Sequence, residues 1–481
     1  MRADWSFFLL TFGCKVNQYE TQAVREAWLR YGGRETDDPA GADVALLNTC
    51  AVTANAVTDA RQAVRRLHRL APALPLVVAG CACSAAREDL LALPGVVAAL
   101  APERKADLLD PARFFACIGL REDAASVCLP EEGRVAATET APAAARGATG
   151  EAAGAFPPFS ITGFRRARPV LKVQDGCSRA CAYCIVPLAR GPSRSRSAED
   201  CLAEARRLLG AGYREIMLSG INLGQYRDPQ GGAGDFWELL RLLDRALTPE
   251  WAGVARLRIS SVDPAQLLDD RCPDLLAEAR MICPHLHVSL QSGSPDVLRA
   301  MRRPPFAPER LAEAVGRIAR AAGRSGRFGL GADILTGFPG ESEAHVAQTL
   351  DLVDALPLTY AHVFPYSIRP GTAAAGFAEQ VPTPVRRERA ARVRALVEAK
   401  RRAFWQASLE AGLARVAPEG DGSPKGVDEC YVPCRLVEPV PEGSAPPGRV
   451  PGGQADHALL EARPVAVTRE GLLVEAVARP A

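Results

Sequence analysis

Hydrophobic and polar positions follow two rhythms along most of this chain. Short apolar runs predict buried strands, and apolar residues at three- and four-residue spacing predict helices. Residues 7–11, 44–47 and 76–79 read as strands. Helical patterns lie between them at 18–31, where Ala23, Ala27, Trp28 and Tyr31 share a face, and at the basic stretch 59–70. After residue 170 the alternation resumes, with strands at 170–173, 215–218, 256–259, 285–289, 330–334 and 361–364. Helical patterns at 198–209, 236–247 and 309–322 lie among them. Six βα repeats predict a barrel or partial barrel, with its active groups at the strands' C-terminal ends. Beyond Leu413 the pattern turns to short strands at 429–436, 458–461, 465–468 and 472–476, which predict a small β-barrel.

The stretch between these regions keeps neither rhythm and is rich in Ala, Gly, Pro, Thr and Glu, the composition of a flexible linker. The expected fold is therefore α/β. A parallel α/β domain covers 5–120, a linker 121–163, a partial (βα)6 barrel with a following basic helix 164–413, and a β-barrel 414–481.

Composition narrows the function. A chain of 481 residues implies two to four domains. Hydrophobic content of 48% and charge of 24% are those of a globular protein. A net charge of +2 gives no global basic field, so local patches must meet any nucleic acid. No signal peptide and no apolar run of membrane-span length are expected. The 14 cysteines then point to metal or catalysis in a reducing compartment, with the cytoplasm as the expected location.

Two cysteine sets carry candidate chemistry. Cys177, Cys181 and Cys184 stand as C-x3-C-x2-C just past a predicted strand. Thiolates at that spacing wrap one soft metal centre. Three thiolates on a four-iron cluster leave one iron open to a ligand, which favours chemistry over electron storage. Cys14, Cys50 and Cys81 each follow a predicted strand, at intervals of 36 and 31 residues, about one βαβ unit each. Strands of a parallel sheet end at one edge, so these three should converge as a second site. The competing reading is that they are ordinary core cysteines.

The later strand ends carry Ser219-Gly-Ile-Asn222, Ser260-Ser261, Gln291-Ser-Gly293 and Thr336-Gly-Phe-Pro-Gly-Glu341. Singly, each glycine reads as turn chemistry; together the motifs ring one face. Cys430 and Cys434 have no partner pair nearby, and His285 and His287 read as core or loop residues.

Cys177-Ser-Arg-Ala-Cys-Ala-Tyr-Cys184 resembles the cluster motif of the radical S-adenosylmethionine enzymes. The combination is narrower. Thr11-Phe-Gly-Cys-Lys-Val-Asn-Gln-Tyr-Glu20, Asn48-Thr-Cys-Ala-Val-Thr53, Val78-Ala-Gly-Cys81, Arg190-Gly-Pro-Ser-Arg-Ser-Arg196, His285-Leu-His-Val-Ser-Leu-Gln-Ser-Gly-Ser294, Gly337-Phe-Pro-Gly-Glu341 and His362-Val-Phe-Pro-Tyr-Ser367 together resemble the methylthiotransferases. The resemblance leans to the branch acting on N6-threonylcarbamoyladenosine in tRNA.

The resemblance implies roles. Cys177, Cys181 and Cys184 would hold a [4Fe–4S] cluster that binds S-adenosylmethionine, and Cys14, Cys50 and Cys81 a second [4Fe–4S] cluster. The chain departs from the family at Gly80-Cys-Ala-Cys-Ser84, where Cys83 is an extra thiol. Ser219, Gly220, Asn222, Ser260, Ser261, Gln291, Ser292 and Asp333 would cradle S-adenosylmethionine. Arg190, Arg194 and Arg196 would grip RNA; Arg61, Arg65, Arg66 and Arg69 could track phosphates. The implied reaction is radical C2-methylthiolation at position 37, beside the anticodon, with two S-adenosylmethionine per turnover. The implied partners are a tRNA anticodon loop and an external electron donor such as a flavodoxin or ferredoxin, with no membrane and a monomeric state. Two alternatives keep the chemistry and change the target, to isopentenyladenosine in tRNA or to a ribosomal protein aspartate. A third is a cluster-bearing electron carrier without radical chemistry.

Overall fold

Parallel pairing organises most strands, as the alternating pattern requires. The computed structural model describes residues 5–52, 54–120, 155–323, 326–419, 423–437 and 458–477. The chain divides into two units: residues 1–160 with 188–194, and residues 161–187 with 195–481.

The first unit contains β1 Trp5–Thr11, α1 Lys15–Arg30, β2 Gly33–Glu35, β3 Val44–Thr49, α2 Ala54–Leu70, β4 Leu76–Gly80, α3 Cys81–Leu91, β5 Val96–Leu100 and α4 Pro111–Cys117. Its sheet runs β2-β1-β3-β4-β5, all parallel. β3 and β4 are buried along their whole length because helices cover both faces, which is why they read as continuous apolar runs. Trp5, Phe7, Trp28 and Phe115 form one aromatic cluster, with the Trp28 ring N–H donating to Leu108 O at 2.9 Å. Sequence reasoning missed β2 and β5; β2 is three residues long, and β5 is partly exposed.

The second unit begins with β6 Val170–Lys172 and β7 Gln174–Asp175, followed by α5 Val186–Arg190 and β8 Arg194–Ser195, which straddle the unit boundaries. Then come α6 Ala198–Gly210, β9 Glu215–Ser219, α7 Phe236–Trp251, β10 Arg256–Ile259, β11 Ser261–Val262, α8 Pro264–Leu267, α9 Arg271–Glu278 and β12 His285–Gln291. α10 Pro295–Ala300, α11 Pro308–Ala322, β13 Gly329–Thr336, α12 Glu343–Ala355, β14 Tyr360–Pro365 and α13 Thr383–Glu410 complete its α/β part. Two parallel sheets result, β6-β9-β10 and β11-β12-β13-β14. Only Ser260 separates β10 from β11, so the strands follow one another in sequence order around a partial barrel.

The C-terminal strands β15 Ala414–Pro418, β16 Lys425–Val427, β17 Pro433–Leu436, β18 Leu460–Val467 and β19 Leu472–Ala476 close a small barrel, in the order β15-β16-β17-β19-β18. Its core holds Trp405, Val416, Val432, Leu436 and Val474. Residues 429–436, expected as one strand, divide into a turn and β17. Asp428 fixes that turn by accepting the N–H groups of Cys430 and Val432 at 2.9 and 2.7 Å. Residues 121–154 of the expected linker lie outside the described residues. Its tail packs: Tyr19 donates to Phe159 O at 2.9 Å, and the Ile161 N–H donates to Glu204 at 3.1 Å.

Among the described residues, no helix is long and apolar enough to cross a membrane.

Candidate functional site

In the first unit, Cys14, Cys50 and Cys81 follow the ends of β1, β3 and β4, three neighbouring strands. The β3–β4 register ends with Thr49 opposite Gly80, so Cys50 and Cys81 are next in line. Gly13 brings the third loop in. It has φ +88°, and a Cβ there would lie 2.5 Å from Cys50 Cβ and 2.8 Å from its sulfur, so a side chain is excluded twice over. Burial raises the Cys50 thiol pKa, and the nearby Cys14 and Cys81 raise it further. Asn17 ties two of the loops together, donating to Phe12 O at 3.0 Å and Thr49 O at 2.9 Å. Cys83 is buried differently. Its thiol donates to Val78 O at 3.5 Å, and burial pushes its pKa up to about 12.

In the second unit, Cys177, Cys181 and Cys184 form the loop after β7. The Asn222 amide donates to Cys177 Sγ at 3.6 Å, and the Val186 N–H to Cys184 Sγ at 3.4 Å. The Ser178 N–H donates to Gln225 at 2.9 Å, so the 222–225 turn wraps the first cysteine. Arg303 anchors the other side, bonding Asp263 at 2.8 Å and Ser289 O at 2.9 Å. Burial pushes the Cys184 thiol up to about 12, and Cys181 and Cys177 add to the effect. Thiols this close resist ionising together; a metal cation is what would hold them as thiolates.

Among the described residues, the groups whose ligand atoms close within 4.8 Å are His287–Asp333–His362 and Asp428–Glu429–Cys430, not either cysteine trio. Three soft thiol donors at each site are the donor set that an iron–sulfur cluster takes. Sulfurs that accept N–H donors, as Cys50 does from Val52 at 3.5 Å, suit cluster ligands.

The residues expected around S-adenosylmethionine divide. Ser219, Gly220 and Asn222 stand at the end of β9; the Asn222 N–H donates to Gln174 at 2.8 Å. Ser260 is buried at the β10–β11 break, and its hydroxyl has no partner among the described residues, an atom placed to meet a ligand. Ser261 opens β11, and Gln291 ends β12 with φ 66°. Ser292 points elsewhere, sharing a 3.3 Å hydrogen bond with Thr349 of α12. Asp333 lies within β13, accepting from His287 at 3.0 Å and His362 at 3.1 Å. Burial would raise its carboxyl, but the two histidine hydrogen bonds hold it well below the usual carboxylate range.

The arginines expected at RNA sit inward. Arg190 donates to Glu20 at 2.9 Å and Asn17 at 2.8 Å, and Lys105 joins the same Glu20 at 2.6 Å, all buried. Arg196 pairs with buried Glu204 at 3.1 Å, and Arg194 is half-buried. Exposed arginines occur instead on α2, where Arg65, Arg66 and Arg69 lie opposite buried Ala60, Val64 and Leu67. Sequence reasoning missed Lys105, which no periodicity marks, and the histidine group, which it placed in the core without a role.

Comparison with known proteins shows the family. Residues 171–353 match the model of the radical SAM superfamily, and residues 6–101 match uncharacterized protein family UPF0004. The chain is 33% identical over 386 residues to threonylcarbamoyladenosine tRNA methylthiotransferase MtaB of Chlamydia pneumoniae, covering 80% of each chain. It is 33% identical over 390 residues to the Bacillus subtilis (strain 168) protein of that name, covering 80% of this chain and 79% of that one. It is 34% identical over 411 residues to tRNA-2-methylthio-N(6)-dimethylallyladenosine synthase of Jannaschia sp. (strain CCS1), covering 84% of this chain and 81% of that one. The radical S-adenosylmethionine methyltransferase TsrM of Kitasatospora setae shares the fold, at 18% identity and TM-score 0.55 over 77% of this chain and 74% of that one. With two convergent cysteine trios and relatives of this kind along most of its length, the chain belongs to the radical S-adenosylmethionine methylthiotransferase family.

Proposed function

We propose that this protein methylthiolates C2 of N6-threonylcarbamoyladenosine at position 37 of tRNA. The observation that carries the reading is the second cysteine trio. One open cluster serves radical chemistry in general; a second three-thiolate site in the same chain supplies a place for the sulfur that is transferred. When bound, the two clusters and S-adenosylmethionine supply hydrogen abstraction at an unactivated carbon and a methylated sulfur to replace that hydrogen.

The chain's own residues position these groups. Cys177, Cys181 and Cys184 would hold the first cluster, and Cys14, Cys50 and Cys81 the second. Asn222 and the Val186 N–H orient the first set; Asn17 and Gly13 orient the second. Ser260, with its buried hydroxyl, and the β9 and β12 ends would seat S-adenosylmethionine. Tyr183, half-buried beside Arg303 and edge-on to Phe338 at 6.5 Å, would help to cover the first site. The exposed α2 arginines would meet RNA phosphates. An external one-electron donor, a monomeric state and a cytoplasmic location belong to the same proposal.

A relative named for the dimethylallyl substrate stands at 34% identity, so identity alone does not choose the N6 substituent. Methylthiolation assays on anticodon stem-loops carrying either substituent test the choice. Product from the threonylcarbamoyl RNA supports the reading; product from the isopentenyl RNA alone overturns it.

A further inference from the structure

Four polar rings and one carboxylate form a continuous column on the concave face of the second unit. Tyr431 identifies that face. Its ring lies 5.1 Å from the Arg258 guanidinium on β10 and 5.4 Å from Tyr360 on β14, strands at separate places in the order. Side chains from both can meet one ring only across a curved sheet. His362 and Phe364 alternate with buried Val363 along β14, so they share the face of Tyr360.

The carboxylate constrains the proton positions in the column. A carboxylate only accepts, so His287 Nε2 and His362 Nδ1 both donate to Asp333 Oδ1, at 3.0 and 3.1 Å. In a neutral ring, His287 Nδ1 must then accept from the Tyr360 hydroxyl at 3.0 Å. His285 Nε2 in turn donates to the Tyr360 oxygen at 2.9 Å. Gly331 makes room, because a Cβ there would fall 2.4 Å from His287 Nδ1 and 2.2 Å from Tyr360 Cζ.

At the exposed end of the column, the His362 ring commits Nδ1 to Asp333, which leaves its Nε2 to face outward on a side chain 56% exposed. Beside it, at 6.2 Å between rings, stands Phe364, also 44% exposed. An aromatic surface next to one fixed polar atom is the arrangement that stacks a splayed-out base and reads its edge.

We propose that Phe364 and His362 form the subsite for the modified adenine, with Phe364 stacking the base and His362 Nε2 accepting a hydrogen bond from the N–H or O–H groups of a polar N6 substituent. The inference rests on the function proposed above and names the specificity residue within it. An isopentenyl group has no donor to offer, and placing it there would bury His362 Nε2 unpaired. The His287–Asp333 pair acts through His362, fixing its tautomer.

The test uses the full chain with both clusters reconstituted and two anticodon stem-loops, one with threonylcarbamoyladenosine and one with isopentenyladenosine. Both kcat/KM and the Kd of the RNA are read. His362→Leu should lower kcat/KM on the threonylcarbamoyl RNA by roughly ten- to a hundred-fold and weaken its binding, narrowing the preference between substrates. His362→Gln, which keeps an acceptor, should recover most of the loss. Phe364→Ala should weaken both RNAs alike, since stacking does not depend on the substituent. Iron content equal to wild type shows that the variants are folded. Unchanged preference in His362→Leu, with wild type active on the threonylcarbamoyl RNA, overturns this inference and leaves the function standing. Wild type active only on the isopentenyl RNA overturns both.

Discussion

Arg258 donates to Glu215 at 2.7 Å, and the same guanidinium donates to the backbone oxygen of Asp428 at 2.8 Å. One side chain thereby joins two core strands to the turn of the C-terminal barrel. Arg256 repeats the arrangement, bonding Glu215 at 2.6 Å, Arg415 O at 2.6 Å and Val427 O at 3.2 Å. Arg327 adds Asp428 at 2.8 Å and Glu429 at 2.5 Å. The small barrel is thus held to the α/β core by buried charge as well as by apolar contact.

Glu215→Gln should cost about 3–5 kcal/mol of stability, because it leaves two buried guanidinium groups without their carboxylate. Burial would raise the Glu215 carboxyl, but Arg258 and Arg256 hold it well below the usual range. A lowered folded pKa contributes stability above the unfolded value and loses it as pH falls through the folded one. The gap between wild type and Glu215→Gln in urea denaturation should therefore be constant near neutrality and start to close below about pH 4.3. A gap that widens in acid would contradict this.

Arg190 gives a prediction opposite to that of a phosphate contact. Arg190→Met should destabilise the first unit by about 3 kcal/mol or more, since it removes one cation from buried Glu20. The salt dependence of tRNA binding should keep its slope. Removing Arg66 on exposed α2 should do the reverse, lowering the slope by about 1 with little effect on stability. Fluorescence anisotropy across a salt series separates the two.

The two neighbouring thiols on α3 should behave differently. Cys81→Ala should reduce iron from about eight to about four per chain, one cluster lost. Cys83→Ala should keep both clusters, because its thiol donates to Val78 O and packs in the apolar core with Val64, Leu67 and Leu90. Iron and sulfide determination on reconstituted protein decides; loss of a cluster in Cys83→Ala would move the ligand by two residues.

Gly331→Ala should destabilise the second unit by about 1–3 kcal/mol through overpacking against Tyr360 and His287. Thermal unfolding measures it, and a neutral effect would mean that the ring column can shift.

Much of this was legible in the sequence. Strands buried on both faces, such as β3 and β4, announce themselves as apolar runs, and the six core strands lie within a few residues of their expected places. Cys177, Cys181 and Cys184 were legible from their close spacing in one loop, and Cys14, Cys50 and Cys81 because strand ends in a parallel sheet share an edge. What escaped was contact set by tertiary packing. Nothing local marks Lys105 as a partner of Glu20, 85 residues away, or Tyr431 as the ring beneath His285 and Tyr360. Arg190 and Arg196 looked like surface cations because charge in a Gly- and Ser-rich stretch usually is exposed; only the fold supplies the buried carboxylates Glu20 and Glu204. The sequence also hid the turn at Asp428, since its side-chain bonds interrupt a run that otherwise reads as a strand.

The most direct test of the central claim is nucleoside mass spectrometry after reaction. Reconstituted enzyme is incubated with S-adenosylmethionine, a low-potential reductant, a sulfur source and tRNA bearing threonylcarbamoyladenosine. The expected result is the 2-methylthio-threonylcarbamoyl nucleoside, abolished both in Cys177→Ala and in Cys50→Ala. Absence of that nucleoside with both clusters intact, or its formation in Cys50→Ala, would contradict the account.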